Sequence, residues 1–471
     1  MQVAVRRRIV AAFLVPAFLL IAASSQAQKK VDAWVTTPDG TSLFAEQKGG
    51  LRFSSAAAAA TVIDADDTER FQTVDGFGYA LTGGSAQLLM RMTPAKRAAI
   101  LHELFGSGGT SIGVSYLRVS IGSSDLNDST FSYDDVPPGE TDPTLAKFSL
   151  DPDRRDVIPI LRQILEINPK ILILGSPWSA PAWMKTNGNA KAGELQRQYY
   201  PAYAAYFVKY LSDMKREGIN IDAITIQNEP LNEKNTPSMK MLAADEAKFI
   251  REDLGSALAK ASLKTKIVLY DHNCDRPDYP LEIFEDPAAS YVDGSGFHLY
   301  GGTIDALTLV HNAFPAKNIY FTEQMVIDQR GGTATTNIAR PVSEIVIGAM
   351  RNWSRNVLLW NLAADPQNNP HTDSGGCTMC QGAITLDGDA VTRNRAYYAL
   401  AHASKFVRPG SIRVASNEPE KLPNVAFTTP DGRSALLVVN TDSSPKIFSV
   451  RSHKRIFTAT LGAGAVATYL W

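Results

Sequence analysis

The sequence has almost no net charge, few cysteines and a single long apolar run, and each shortage removes a class of protein. Its 47 lysines and arginines against 48 acidic residues give a formal charge of −1 over 471 residues. No basic stripe of the kind that follows a phosphate backbone is visible, so nucleic acid is not an expected partner. Of the three cysteines, Cys377 and Cys380 form a Cys-x-x-Cys in the loop GGCTMCQG, and Cys274 stands alone. A structural metal wants four ligands, and two thiols with the nearby His371 fall short. A local disulfide is the expected state of that loop, with a metal the lesser alternative. After Ala23 no further long apolar run occurs, which leaves the body of the chain without an expected membrane span.

The run that does occur has the form of an address. Arg6, Arg7 and Arg8 precede the apolar stretch Ile9 to Ala23, and Ser25-Gln26-Ala27 places small residues where a signal peptidase cuts. Fifteen apolar residues are short against the roughly 20 of a spanning helix. Residues 1–27 are therefore expected to be a signal peptide rather than an anchor, and the chain to be exported to the periplasm or outside the cell. Removing three arginines and no acidic residue leaves a net charge of −4, in a compartment that permits disulfides.

Forty-four per cent hydrophobic residues supply a large core. Residues 28–72, which include the run Ala56 to Ala60, read as strands and loops. Between about 73 and 403 short apolar runs recur: TVDGFG, VSYLRVSIG, KILILGSPW, DAITIQNEP, KIVLYDHN, GSGFHLY, KNIYFTEQ and NVLLWNL. Helical patterns separate them, as at Pro94 to Phe105 with Thr93 as N-cap, Val157 to Glu166 and Ala202 to Lys215. Continuous apolar strands alternating with helices imply a parallel sheet covered on both faces. Eight such units predict a (β/α)8 barrel. An open doubly wound sheet is the rival, but GFGYALTGG is not followed by the helix start that its phosphate turn requires. From 404 to 471 short strands and turns such as Pro430-Asp431-Gly432 predict a β-sandwich, completed by the 28–72 segment.

The ends of the apolar runs carry the chemistry. Asp75 lies beside the first, Arg118 and Asp125 at or after the second, and Trp178 after the third. Asn228 and Glu229 end the fourth, Asp271, His272 and Asn273 the fifth, and His298 and Tyr300 the sixth. Glu323 ends the seventh, and Trp360 with Asn361 the eighth. Barrel enzymes build their sites at this rim. Glu229 and Glu323 face each other across it, as glycoside hydrolysis by an acid and a second carboxylate requires. Asn228 can hold a sugar hydroxyl, and Trp178 and Trp360 offer flat faces to a sugar ring. Singly, each has a structural reading: Glu323 as a rim ion pair with Arg118, the tryptophans as core, His298 as a satisfied core histidine. Whichever of the two glutamates donates the proton is expected to have a raised pKa beside its ionised partner, giving a bell-shaped pH profile.

The pattern resembles glycoside hydrolase family 30, the group of lysosomal glucosylceramidase and the bacterial and fungal β-1,6-glucanases. The residues that carry it are DGFGYALTGGSA, YLRVSIGSSD, SPWSAPAWMKTNG, QNEP, FHLY, TEQ, WNLAADPQNNPH and the terminal AVATYLW. The resemblance implies a barrel with a β-sandwich, no cofactor, and retention of configuration. It implies Glu229 as acid/base and Glu323 as nucleophile, with Asp125, Trp178, Asn228 and Trp360 lining a glucose subsite. His298 joins the substrate-binding set. Tyr300 and Arg118 match the neighbours that orient and charge-balance the nucleophile, with Asn361, Asp271 and His272 in support. Tyr79 and Gln324 depart from the family's common pattern, Tyr79 standing where many relatives carry glycine and Gln324 where small residues are common. DHN after the fifth run and the GGCTMCQG loop resemble bacterial β-1,6-glucanases more than the lysosomal enzyme. That resemblance implies β-1,6-glucan as substrate, with glucosylceramide, a β-xyloside or an aryl β-glucoside as competitors. Two other classes stay open: an inactive carbohydrate-binding protein on the same scaffold, and a metal-dependent hydrolase using Cys377, Cys380 and His371.

Overall fold

The computed structural model describes residues 1–2, 30–54, 59–327 and 337–471. The signal-peptide reading of residues 1–27 and most of the Ala56 to Ala60 run lie outside the described residues. Eight strands build the central sheet: β1 (Gly76–Leu81), β2 (Tyr116–Ser120), β3 (Leu172–Ser176), β4 (Ala223–Thr225), β5 (Lys266–Cys274), β6 (Val292–Gly302), β7 (Asn318–Glu323) and β8 (Asn356–Leu359). They pair in parallel in the order β7 to β1 and then β8. Parallel bridges from Ile319 to Ser354 and from Met325 to Trp360 bring β7 against β8. That near-closure makes the sheet a barrel and rules out the open doubly wound alternative.

The helices bury the outer faces of these strands. In Val157–Ile167, Val157, Ile158, Ile160, Leu161 and Ile164 are buried, the one-sided stripe of a period near 3.6. Pro94–Phe105 and Tyr200–Arg216 do the same at other strands. Thr93 precedes its helix but does not cap it through its side chain, because its hydroxyl donates to Asp389 instead. Asp75 is displaced further from expectation. It precedes β1, and its carboxylate pairs with Arg355 at 2.6 Å, at the barrel end opposite the rim.

The sandwich is stitched from both ends of the chain. Lys30–Thr36 runs antiparallel to Val466–Leu470. Val62–Thr73 lies between Ile412–Ser416 and Lys446–Ser452. Val31, Phe53, Ile63, Phe448, Phe457 and Trp471 share one core, so strands far apart in the sheet order fold over one another. His402, on the last barrel helix Arg395–Ser404, joins the two parts. Its ring lies 2.9 Å from both the Thr36 and Thr468 hydroxyls. Thr468 already donates to the His402 carbonyl, so Nδ1 carries the ring proton and Nε2 accepts from Thr36.

Burial holds the His402 ring neutral, with its pKa lowered to about 3. Between that value and the ordinary 6.5 the unfolded chain binds a proton that the native state refuses. Stability should therefore fall as pH drops through this window, by up to about 1.4 kcal/mol per pH unit from this group. Thermal unfolding from pH 7 to 4 should show a shallower pH slope for His402→Gln than for the parent. Equal slopes would contradict the assignment.

Candidate active site

Side chains alternate along a strand, so residues two apart share a face. Tyr116, Leu174, Ala223, Val268, Tyr320 and Leu358, from six of the strands, fill the barrel interior as one apolar cluster. Two residues further along four of those strands stand Arg118, Ser176, Thr225 and Thr322. All four donate to a single carboxylate, Asp271, at 2.8, 2.7, 2.8 and 2.6 Å. Asp271 reaches them through a bulge. The β5–β6 register passes from Tyr270 opposite Gly296 to His272 opposite Phe297, skipping Asp271, whose φ is 53°. Bulges re-aim side chains in this way. Arg118 and Asp271 are both wholly buried.

Arg118 spreads that charge to the rim. Its Nη1 donates to Glu323 at 2.5 Å, and its Nη2 donates also to Asn228 at 2.6 Å. Glu323 receives a second bond from the Tyr300 hydroxyl at 3.0 Å, and that hydroxyl accepts the Met325 N–H. Tyr300 is 38% exposed, so one side of its ring faces the rim while its hydroxyl serves Glu323. Glu229 sits in the left-handed region at φ 46°, costly by about 1–2 kcal/mol for a residue with a Cβ. Pro230 disfavours the right-handed alternative, and the Glu229 N–H is tied to the Asp271 carbonyl at 3.0 Å. The strand end thus delivers a carboxylate locked in place. Asn232 donates to it at 2.6 Å.

His298 closes the circuit. Its Nε2 is 3.0 Å from Asp271, its Nδ1 3.2 Å from Glu229 and 4.0 Å from Glu323. Burial alone lowers its pKa, but Glu323, Asp271 and Glu229 outweigh burial and lift it to about 9. Burial raises the Glu229 carboxyl, yet the hydrogen bond and charge of His298, with His272 and Asn232, bring it below its ordinary value. The raised pKa expected for Glu229 is therefore not found: the proton rests on His298. At Glu323 burial and the charges of Glu229 and Asp271 push upward against His298 and Arg118. The geometry decides its state: both oxygens face donors, leaving no acceptor for a carboxyl proton. The movable proton belongs to the Glu229–His298 contact.

Around this centre lie the remaining expected residues. Asp125 is buried, and burial plus the charges of Glu323 and Glu229 push it up to about 8. Trp178 and Trp360 stack on each other at 5.3 Å, with the Arg118 guanidinium 4.8 Å from the Trp178 ring. His272 lies parallel to His298 at 6.4 Å. Among the described residues its Nδ1 and both side-chain polar atoms of Asn361 lack hydrogen-bond partners. Cys377 and Cys380 are joined in a disulfide, so no thiolate is left for a metal site with His371. Glu229, His298 and Glu323 could geometrically chelate a cation, but Arg118 and the His298 proton already supply positive charge there. Ser176, Thr225, Thr322 and Asn232 were not singled out in the sequence. Hydroxyls spaced within otherwise apolar strand ends were the available signal.

Fold and site define a barrel enzyme with two carboxylates opposed at its mouth. The chain belongs to glycoside hydrolase family 30, a family of glycosidases: the Glycosyl hydrolase family 30 TIM-barrel domain matches residues 74–407 and the family's beta sandwich domain residues 410–469. It is 33% identical over 455 residues to an endo-1,6-beta-D-glucanase of Neurospora crassa, covering 91% of each chain. Identity to the lysosomal acid glucosylceramidase of Mus musculus is 29% over 429 residues, 86% of this chain and 82% of that one. A solved endo-beta1,6-glucanase superposes with a TM-score of 0.86 at 33% identity, covering 94% of this chain and 99% of that one.

The proton assignment is open to direct reading by nitrogen-15 NMR of the imidazoles. The His298 ring should stay doubly protonated through neutral pH and lose its proton only as pH rises through about 9. Glu229→Gln removes a stabilising negative charge and should lower that midpoint. A neutral His298 ring at pH 7 in the parent would overturn the assignment.

Proposed function

We propose that the protein is a retaining β-glycoside hydrolase that cleaves β-1,6-linked glucan by double displacement, with Glu323 as nucleophile and Glu229 as acid/base. The carrying observation is the spacing of the two carboxylates, whose nearest oxygens lie within 4.8 Å of each other. Retaining enzymes hold their carboxyl groups about 5–5.5 Å apart, whereas inverting enzymes leave about 6.5–9.5 Å for a water. That spacing supports direct attack by a carboxylate over attack by an inverting water.

The roles follow from the neighbours. Glu323, charge-balanced by Arg118 at 2.5 Å and oriented by Tyr300, attacks the anomeric carbon. As the bond to the leaving oxygen breaks, Glu229 protonates that oxygen. The proton arrives at Glu229 from His298 Nδ1 across their 3.2 Å contact, leaving the ring neutral with Nε2–H still on Asp271. Water then attacks the glycosyl ester of Glu323, Glu229 takes a proton from it, and the carboxylate of Glu323 leaves. Asp125, Asn228, Trp178 and Trp360 are the residues that hold the sugar. β-1,6-Glucan is preferred to glucosylceramide because relatives at 32%, 33% and 34% identity and the matching solved structure carry that activity in their names. An export signal over residues 1–27 would deliver the enzyme to such a polymer outside the cytoplasm, and among the described residues no helix is long and apolar enough to cross a membrane.

A parallel assay on β-1,6-glucan, β-1,3-glucan, glucosylceramide and aryl β-xyloside should show the first as the best substrate. Proton NMR of the first-formed sugar should show the β-anomer before mutarotation. An α-anomer would exclude double displacement, and no turnover of any substrate would favour a carbohydrate-binding protein on this scaffold.

A further inference from the structure

The segment 365–383 crosses the rim with neither helix nor strand, yet it touches both sides of the pocket. On one side the Thr372 N–H bonds the Asp125 carbonyl at 2.9 Å. On the other the Thr372 hydroxyl donates to the Thr236 carbonyl at 2.9 Å, and the Thr236 N–H reaches Gly375 at 3.3 Å. Thr236 belongs to the loop that carries Asn232 to Glu229. The turn is tight. A Cβ on Gly376 would lie 2.4 Å from the Thr372 carbonyl, and Gly375 has φ +89°. The Cys377–Cys380 bridge closes this turn over three residues, and Cys380 is 3% exposed. Both sulfurs pack in one cluster with Trp178, Trp360, Leu126 and Met325. The disulfide therefore backs the tryptophan wall, and the turn it closes holds the Asp125 backbone through Thr372.

We infer that the Cys377–Cys380 disulfide positions Asp125 and the Trp178–Trp360 wall, so that its redox state sets substrate affinity while leaving the chemical step in place. The inference rests on the reading of this pocket as a glucoside site. Glu323 and Glu229 take their own bonds from Arg118, Tyr300, His298 and Asn232, none of which lies in the segment. Reduction by an added dithiol breaks the S–S bond. The dithiol supplies two electrons and two protons and closes to its own disulfide, leaving two thiols on the protein. The turn is then free to open, and the Thr372 N–H is no longer held against the Asp125 carbonyl.

Kinetics on an aryl β-glucoside with and without dithiothreitol test this. Reduction should raise KM about fivefold, the scale of one lost neutral hydrogen bond, with kcat changed less than about twofold. Cys377→Ala/Cys380→Ala should show the same raised KM and no response to dithiothreitol. In Asp125→Asn the response should shrink, because both changes remove one link and residues in contact do not add. A purely structural role for the bridge would lower kcat and the unfolding temperature together with affinity, and that outcome, or an unchanged KM, overturns the inference. If the parent turns over no β-glucoside, the reading of the pocket fails by itself. Binding of an S-linked β-glucoside, followed by tryptophan fluorescence, then decides: a Kd that does not weaken on reduction sinks the inference.

Discussion

The ion pair between Arg118 and Asp271, wholly buried at 2.8 Å, is the constraint on which the site depends. Taking two charges out of water costs several kcal/mol per ion, and their mutual attraction offsets this only when the remaining hydrogen-bonding positions are filled. Here they are. Asp271 accepts from Arg118, Ser176, Thr225, Thr322 and His298, drawn from five strands. The pair is thus less a stabilising bond than a device for fixing five strand ends at one register. It also sets the charge state of everything above it.

That influence runs in two directions. Through Arg118 it fixes Glu323 as a carboxylate surrounded by donors and orients Asn228. Through His298 it keeps a proton within 3.2 Å of Glu229. Two carboxylates whose nearest oxygens lie within 4.8 Å would otherwise compete for one proton. The barrel separates their roles by giving one a guanidinium and the other an imidazole. The same logic explains why Glu229 tolerates a left-handed backbone: the Asp271 carbonyl that holds its N–H belongs to the residue at the centre of the network.

Much of the barrel was legible in the sequence because parallel strands buried on both faces must read as continuous apolar runs. KILILGSPW and KNIYFTEQ became β3 and β7. TVDGFG was less legible. Glycine and aspartate blurred its start, so Asp75 was placed near the rim although it pairs with Arg355 at the far end. The glutamates were legible as polar residues at the ends of apolar runs. The protonation pattern was not, because it depends on a contact between residues 69 apart in the chain. The bulge that turns Asp271 inward left no mark in a sequence pattern of period two.

The central claim is that the residue balanced by Arg118 is the one that attacks. In Glu229→Ala an activated aryl β-glucoside needs little protonation to lose its leaving group, while deglycosylation lacks its base. The glycosyl-enzyme should accumulate, and peptide mapping by mass spectrometry should find one added glucosyl unit on the peptide bearing Glu323. A label on any other carboxylate would contradict the account.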